Sequence, residues 1–160
     1  MQHTEQDIRA VAPGMIAANS PTSGVATAGQ PEPEHLRQMA AAGYRTVIDL
    51  RHPGERRGFD EAAVAREAGL RYENIPVTPQ SLSDADFDRL RELLRDPENR
   101  PALVHCASAN RVGALMIPYL VLDEHRPLRE AVELAQQVGL RSPDLASAAI
   151  DYTRAHGGAA

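Results

Sequence analysis

The sequence lacks the features that mark several large classes of protein. Its 160 residues include one cysteine, so an intramolecular disulfide is excluded, and no Cys/His spacing typical of a zinc site occurs. No apolar run approaches the ~20 residues that a membrane-spanning helix needs. Residues 1–14 lack the basic and then apolar layout of a secretory signal. We therefore expect a soluble, cytoplasmic protein, or a periplasmic one if the chain was cut from a longer precursor.

The charge and length of the chain narrow the remaining classes. Seventeen basic and 22 acidic residues give a net charge of −5, so neither nucleic acid nor an anionic membrane is an expected partner. A chain of 160 residues suits one domain with a sizeable core. We expect an N-terminal arm over residues 1–20, a single domain over 21–156 and a tail over 157–160.

Apolar runs alternate with amphipathic segments along the chain. Strands are predicted within 23–31, 44–50, 70–77 and 101–106, and helices within 31–43, 59–69, 83–97, 111–125, 127–139 and 142–157. Alternation of this kind is typical of an α/β fold. We predict a central, mostly parallel sheet of four to five strands with helices on both faces.

Polar segments follow three of the predicted strands, at 51–57, 78–86 and 105–111. The carboxyl ends of parallel strands meet at one sheet edge, where ligands of such folds bind. Arg51 stands directly at a strand end and is expected to face this site. Arg56 and Arg57 are interpreted as part of a solvated turn.

The segment "VHCASANRVG" places the only cysteine between a predicted strand and a predicted helix. The helix N-terminus and the backbone N–H groups of the turn form a cradle for an anion, and the same field favours a thiolate at Cys106. Arg111 could hold two oxygens of the anion in a fork. A lone cysteine in an apolar strand is more often a core residue. The combination with Arg111 nevertheless favours a nucleophile beneath an oxyanion site.

The loop "VHCASANRVGAL" resembles the active-site loop of cysteine-dependent phosphatases of the tyrosine and dual-specificity class. The closest resemblance is to the bacterial phosphatase-like domain found in beta-lactamase-hydrolase-like proteins and fused to NAD-kinase-like proteins. Residues 25–55, 72–77 and 139–143 also resemble that group. The resemblance covers roughly residues 20–145 and implies a phosphatase-like three-layer fold.

The resemblance implies a role for each residue of this loop. Cys106 would attack phosphorus and form a cysteinyl-phosphate, and His105 would help to hold its thiolate. Arg111 and the loop backbone would bind the phosphoryl oxygens. The phosphate-binding residues implied in this way are Ala107, Ser108, Ala109, Asn110 and Arg111. Asn110 could brace the loop or contact the substrate, with a simple turn-former as the equal alternative to both roles. The substrate would be a phosphorylated protein or small molecule. The resemblance implies neither metal nor cofactor.

Three departures from the phosphatase pattern keep other activities open. Four residues separate Cys106 from Arg111, whereas tyrosine phosphatases have five and many rhodanese-type sulfurtransferases have four. Val112 stands where those phosphatases usually carry a hydroxyl. No carboxylate directly follows the third strand, so Asp84 and Asp86 are the candidates for a general acid. A sulfurtransferase acting through a Cys106 persulfide and a non-catalytic phosphate-binding module therefore remain as alternatives.

Overall fold

A computed structural model describes residues 6–157 of the chain, so the expected tail lies outside the described residues apart from Gly157. Its sheet has the strand order β1-β2-β5-β3-β4. The strands are β1 (Asn19–Thr22), β2 (Val25–Ala28), β3 (Thr46–Asp49), β4 (Arg71–Asn74) and β5 (Ala102–His105). Strand β1 pairs antiparallel with β2, and all other pairs are parallel. The predicted α/β fold with a mostly parallel sheet of four to five strands is confirmed.

Seven α-helices accompany the sheet in the described part of the chain. They are α1 (Ile8–Val11), α2 (Pro33–Ala41), α3 (Glu61–Glu67), α4 (Asp84–Arg95), α5 (Asn110–Pro118), α6 (Leu128–Val138) and α7 (Pro143–Ala155). Helix α5 ends at Pro118, whose ring and missing N–H oppose a continued α-helix, and a π-helical turn follows over Tyr119–Asp123. None of these helices has the length and apolar character to cross a bilayer.

The core consists of two apolar clusters, one on each face of the sheet. Successive residues of a strand point to opposite faces, so Ile48 and Val104 belong to one cluster and Val47 and Leu103 to the other. The first cluster is closed by α4, α5, α6 and α7, and the second by α1, α2 and α3. The three layers expected for this fold follow from that arrangement.

The segment expected to be an N-terminal arm packs against the sheet. Ile8, Ala12 and Met15 are buried in the second cluster, and β1 begins within this segment at Asn19. The spacing of these three apolar residues places them on one side of a short, turned segment. The domain boundary at residue 20 stays a prediction.

The parallel register brings the chemistry to one sheet edge. Strand β5 lies between β2 and β3, and His105 is paired with Ala28 on one side and with Asp49 on the other. The segments that leave β2, β3 and β5 therefore emerge side by side. They carry Gln30, residues 51–57 and Cys106.

Candidate active site

Cys106 follows β5 directly and is almost completely buried, with 1% of its surface exposed. Its backbone N–H donates to the Ala28 carbonyl at 3.3 Å, which continues the pairing of β5 with β2. The catalytic loop, residues 106–111, then turns into α5. Ala109 makes this turn with a φ of 69°, in the left-handed region. Strand, turn and helix N-terminus are thus arranged as the sequence predicts.

The backbone of the catalytic loop offers an unusually large set of free donors. Within residues 6–157, none of the N–H groups of residues 107–112 donates a hydrogen bond. These groups surround the start of α5, where the helix dipole is positive. Gly29 lets the loop pack closely, because a Cβ there would lie 2.6 Å from the Ala107 carbonyl oxygen. The loop therefore has the arrangement of N–H donors that is typical of an oxyanion site.

Arg111 is held from the outer side by two neighbouring loops. Its Nη1 and Nη2 donate to the two carboxylate oxygens of Glu55 at 2.8 and 2.9 Å, and Nη1 also donates to the Val77 carbonyl at 3.0 Å. A guanidinium has five N–H donors. Three are used here, which leaves the Nε–H and one Nη2–H, adjacent donors suited to two oxygens of one oxyanion.

Charge interactions couple this arginine to both Glu55 and Cys106. The hydrogen bonds that Arg111 donates to Glu55 raise the pKa of Arg111 above its ordinary value against the opposing effect of burial, and the nearby Cys106 adds to the rise. The hydrogen bonds from Arg111 hold the pKa of Glu55 well below its usual range, with further contributions from the His52 backbone and from Arg51. Both groups stay ionised at neutral pH, so the fork is fixed in place.

Arg51 lies at the site as expected, but it supports the carboxylate rather than standing free. Its Nε donates to Glu55 Oε1 at 3.0 Å and its Nη1 to Gln30 Oε1 at 2.8 Å. The interpretation of Arg57 as a solvated residue is wrong. The Arg57 side chain is 9% exposed and forms an ion pair with the fully buried Asp49 at 2.7 Å. The carboxylate that explains this burial, Asp49, lies at the end of β3, eight residues before Arg57.

His105 is completely buried in a polar cluster on the far side of the cysteine. Its Nε2 lies 2.5 Å from Glu61 Oε2, and its Nδ1 lies 3.2 Å from the Cys106 carbonyl oxygen. Asp49 Oδ1 is 3.8 Å from the same Nε2, while Asp49 Oδ2 accepts the Tyr72 hydroxyl at 2.6 Å. Burial, followed by this bond to Asp49, raises the pKa of Tyr72 above its ordinary value. The cluster orients His105, the residue next to Cys106.

Asp49, Glu61 and His105 are the one set of three close metal-ligand residues in the described chain. The ligand atoms of these residues already contact one another and four further groups. Glu61 Oε1 accepts from Gln30 at 2.7 Å, Asp49 Oδ1 from the Arg51 backbone at 2.9 Å, and Asp49 Oδ2 from Arg57 and Tyr72. A guanidinium inside the set repels a cation. The cluster is therefore built as a hydrogen-bonded ion network.

Asn110 and Ser108 attach the catalytic loop to the connection between α6 and α7. Asn110 Oδ1 accepts the backbone N–H groups of Arg141 and Ser142 at 2.7 and 3.2 Å. Ser108 Oγ accepts from the Arg141 guanidinium at 3.1 Å. Of the two roles considered for Asn110, the structure contains the bracing contact.

The two candidate general acids differ in how they are engaged. Asp86 Oδ2 accepts the Ser83 backbone N–H at 2.9 Å, in a capping box at the start of α4. Asp84 is the exposed first residue of that helix. The loop before α4 approaches the site through Val77, whose carbonyl binds Arg111. Of the two carboxylates, Asp84 is therefore the one that the capping hydrogen bond does not occupy.

Sequence reasoning missed Gln30 and Glu61. Both contact the groups around Cys106, but they lie 76 and 45 residues before it in the chain. Gln30 stands two residues after β2, so the rule that parallel strands end at one edge could have placed it here. Glu61 looked like an ordinary acidic residue in the first turn of a helix.

Known families match most of the chain. The family model described as "DSP-PTPase phosphatase fused to NAD+ Kinase" matches residues 12–149. A beta-lactamase hydrolase-like protein of Xylella fastidiosa (strain Temecula1) is 37% identical over 113 residues, which are 68% of this chain and 26% of the relative. The chain thus spans about a quarter of the length of the curated relatives it matches.

Solved structures share the fold across nearly the whole described chain. A putative phosphatase (DUF442) from Shewanella putrefaciens CN-32 has a TM-score of 0.79 at 20% identity and covers 93% of this chain and 99% of its own. A Cys-to-Ser variant of P. aeruginosa TpbA, in complex with pTyr, has a TM-score of 0.68 at 19% identity, covering 89% and 92%. The phosphatase-like three-layer architecture is confirmed by this likeness.

Proposed function

The chain belongs to the family of DSP-PTPase phosphatases described as fused to NAD+ kinase, and we propose that it hydrolyses a phosphate monoester through a cysteinyl-phosphate on Cys106. One observation carries the proposal. Six consecutive backbone N–H groups, those of residues 107–112, are unpaired within the described residues and lie around the start of α5, next to the cysteine. A tetrahedral oxyanion supplies acceptors for these N–H groups, and Arg111 adds two further donors.

In the first step the Cys106 sulfur attacks phosphorus and the bond to the leaving-group oxygen breaks. The oxyanion charge is spread over the loop N–H groups and the free edge of Arg111, which are in place before the reaction. The leaving oxygen takes a proton from a carboxyl group, and Asp84 is our candidate for this donor. The guanidinium beside the sulfur favours the attacking thiolate.

In the second step water attacks the phosphorus of the cysteinyl-phosphate, and the phosphorus–sulfur bond breaks. The electron pair returns to Cys106 as thiolate, and inorganic phosphate leaves. Val112 is fully buried and has no hydroxyl to assist the departing sulfur. We therefore expect this second step to limit turnover, with a burst of released alcohol or phenol in the first cycle.

The substrate is proposed only as a class. The cradle recognises a phosphoryl group on a protein or on a small molecule, and the TpbA complex with pTyr is a fact about that relative. Aryl phosphates are suitable probes because they carry this group on a simple leaving group.

A second candidate is favoured by one specific observation. The four-residue interval between Cys106 and Arg111 is shared with many sulfurtransferases of the rhodanese type. In that reaction the Cys106 thiolate would attack the outer sulfur of thiosulfate and release sulfite, leaving a persulfide. A third reading is a phosphate-binding module that uses the same cradle without chemistry.

Trapping separates these functions. The protein is incubated with p-nitrophenyl phosphate or with thiosulfate, quenched, and weighed by mass spectrometry. The proposal expects a phosphate adduct on Cys106, and Cys106→Ser is expected to lose turnover while it still binds inorganic phosphate. A persulfide without a phosphate adduct would establish the sulfurtransferase instead. Phosphate binding with neither adduct would leave the binding module.

A further inference from the structure

An unbroken chain of side chains connects the residue before the nucleophile with the phosphate-binding arginine. Each contact in it is a hydrogen bond of 2.5 to 3.0 Å between groups with little exposure. The members, in order, are His105, Glu61, Gln30, Arg51, Glu55 and Arg111. They come from β5, α3, the end of β2, the loop after β3, and α5.

Gln30 stands in the middle of this chain, and its side-chain amide carries no charge. Its Nε2 donates to Glu61 Oε1 at 2.7 Å, and its Oε1 accepts from Arg51 Nη1 at 2.8 Å. Its backbone N–H donates to the Ala107 carbonyl at 3.1 Å. Gln30 thus contacts the catalytic loop itself and both arms of the network. The Cys106 arm, or nucleophile arm, consists of Glu61 and His105, and the Arg111 arm, or arginine arm, consists of Arg51, Glu55 and Arg111.

Resting on the proposed function, we propose that Gln30 is a positioning residue that fixes the Cys106 arm and the Arg111 arm as one unit. The carboxylate of Glu61 needs a donor and the guanidinium of Arg51 needs an acceptor at this point. Among neutral side chains of this length, only a glutamine amide supplies both at the observed spacing. Catalytic groups lose rate steeply when their mutual position slips by an ångström.

Two substitutions break the link in different ways. Gln30→Met keeps the length of the side chain but has neither a strong donor nor an acceptor. Gln30→Glu keeps the acceptor for Arg51 but directs an ionised oxygen at the Glu61 carboxylate. Protonation of the introduced carboxyl restores a donor, so the defect of Gln30→Glu should shrink as the pH falls. The charged groups around this position are Glu61, Arg51 and Arg57, whose Nε lies 3.7 Å from the Glu61 oxygen that Gln30 contacts.

Two readouts follow the two arms without requiring turnover. The second-order rate of Cys106 alkylation by iodoacetamide, measured across pH, reports on the nucleophile arm. The dissociation constant of inorganic phosphate reports on the arginine arm. Because neither needs the phosphatase reaction, a failure of the coupling is distinguishable from a failure of the proposed function. Gln136→Met and Gln136→Glu, on the exposed face of α6, are matched controls.

We expect Gln30→Met to change both readouts by on the order of tenfold, with the controls within twofold. Relative to Gln30→Met, the Gln30→Glu protein should recover in both readouts toward low pH. Glu61→Gln should act mainly on alkylation and Glu55→Gln mainly on phosphate affinity. The inference is overturned if a folded Gln30→Met or Gln30→Glu protein keeps both values within twofold of the unmodified protein. It is equally overturned if one readout changes alone.

Discussion

Two loops flank the catalytic loop, and they are held in different ways. The β3 loop, residues 51–57, is fastened by side chains that reach other elements, including the ion pairs of Arg57 with Asp49 and of Glu55 with Arg111. In residues 6–157 the side-chain hydrogen bonds of the β4 loop, residues 78–83, are local, between Thr78 and Ser81 and at the start of α4, while Leu82 packs against the core. The β3 loop is thus fixed by ion pairs with other elements, whereas the polar contacts of the β4 loop stay close to the loop itself.

This difference matches the two tasks that the proposed reaction divides between the loops. Oxyanion stabilisation gains most from donors that are fixed before the substrate arrives. Proton donation to a leaving group requires a carboxyl that substrates of different shape can approach, and Asp84 stands at the exposed start of α4 beyond the β4 loop. Phosphate binding should therefore depend on the β3 loop, and leaving-group chemistry on the β4 loop.

The largest expected effect comes from removing the buried cation of the β3 loop. Arg57→Met leaves the carboxylate of Asp49 buried without its ion partner, which should lower the free energy of unfolding by about 3–5 kcal/mol. Urea denaturation measures this loss. Arg89→Met, which removes an exposed pair with Glu73, is the control and should cost less than about 1 kcal/mol. Equal losses in the two variants would contradict the assigned difference in burial.

The next effect concerns the acid beyond the β4 loop. Asp84→Asn should lower kcat/KM for phenyl phosphate, which reports the first step, by about 10²–10⁴-fold, because an unprotonated phenolate is a poor leaving group. The loss should be much smaller for p-nitrophenyl phosphate, whose leaving group needs less protonation. Stopped assays of released phenol measure both rates.

Asp86→Asn is the matched control for this experiment. An asparagine oxygen can still accept the Ser83 backbone N–H, so the start of α4 is retained and kcat/KM should stay within a few-fold. A full rate with phenyl phosphate in Asp84→Asn would exclude Asp84 as the proton donor.

The contrast between local and long-range contacts also explains which features could be predicted from the sequence alone. Strand β5, the catalytic loop and α5 are contiguous in the chain. Apolar periodicity and local turn chemistry were therefore enough to place Cys106 and Arg111 at the two ends of one short turn. The capping box at Ser83 and Asp86 is also local, since it joins residues three positions apart. Features determined within a few residues were accessible without coordinates.

The β3 loop could not be understood in that way. The burial of Arg57 depends on Asp49, and the position of Glu61 depends on His105, 44 residues later. Composition makes 51–57 resemble a solvated turn, because a charged residue and its buried partner look the same in sequence as two surface charges. The register of β3 against β5 sets Asp49 beside His105, and no local pattern of the sequence shows that register.

A smaller effect should appear when the β3 loop loses its carboxylate charge. In the native protein the pKa of Glu55 lies well below its ordinary value of 4.5, through its bonds to Arg111. A depressed carboxyl pKa stabilises the fold above its unfolded value, and this contribution is lost as the pH falls below it. Glu55→Gln should therefore be less stable than the unmodified protein at pH 7, by about 1–3 kcal/mol.

Thermal unfolding between pH 7 and pH 3 tests the sign of that contribution. The stability difference between the two proteins should be largest at neutral pH and should narrow below pH 4.5, where unfolded chains take up the proton. Glu130→Gln on α6, which removes an exposed pair with Arg126, is the control. A difference that grows toward low pH would reverse the assigned direction.

The smallest effect is expected in the β4 loop. Ser81→Ala removes the oxygen that accepts from the Thr78 backbone and hydroxyl at 3.0 and 2.9 Å. Ser81 is exposed, so water can take over both donors, and the free energy of unfolding should fall by less than about 1 kcal/mol. Phosphate affinity should not change, because the Arg111 fork depends on Glu55 and on the Val77 backbone rather than on this hydroxyl. Urea unfolding and phosphate titration of the same protein measure the two quantities. A loss of several kcal/mol, or a tenfold weaker phosphate complex, would mean that the β4 loop is tied into the site as firmly as the β3 loop.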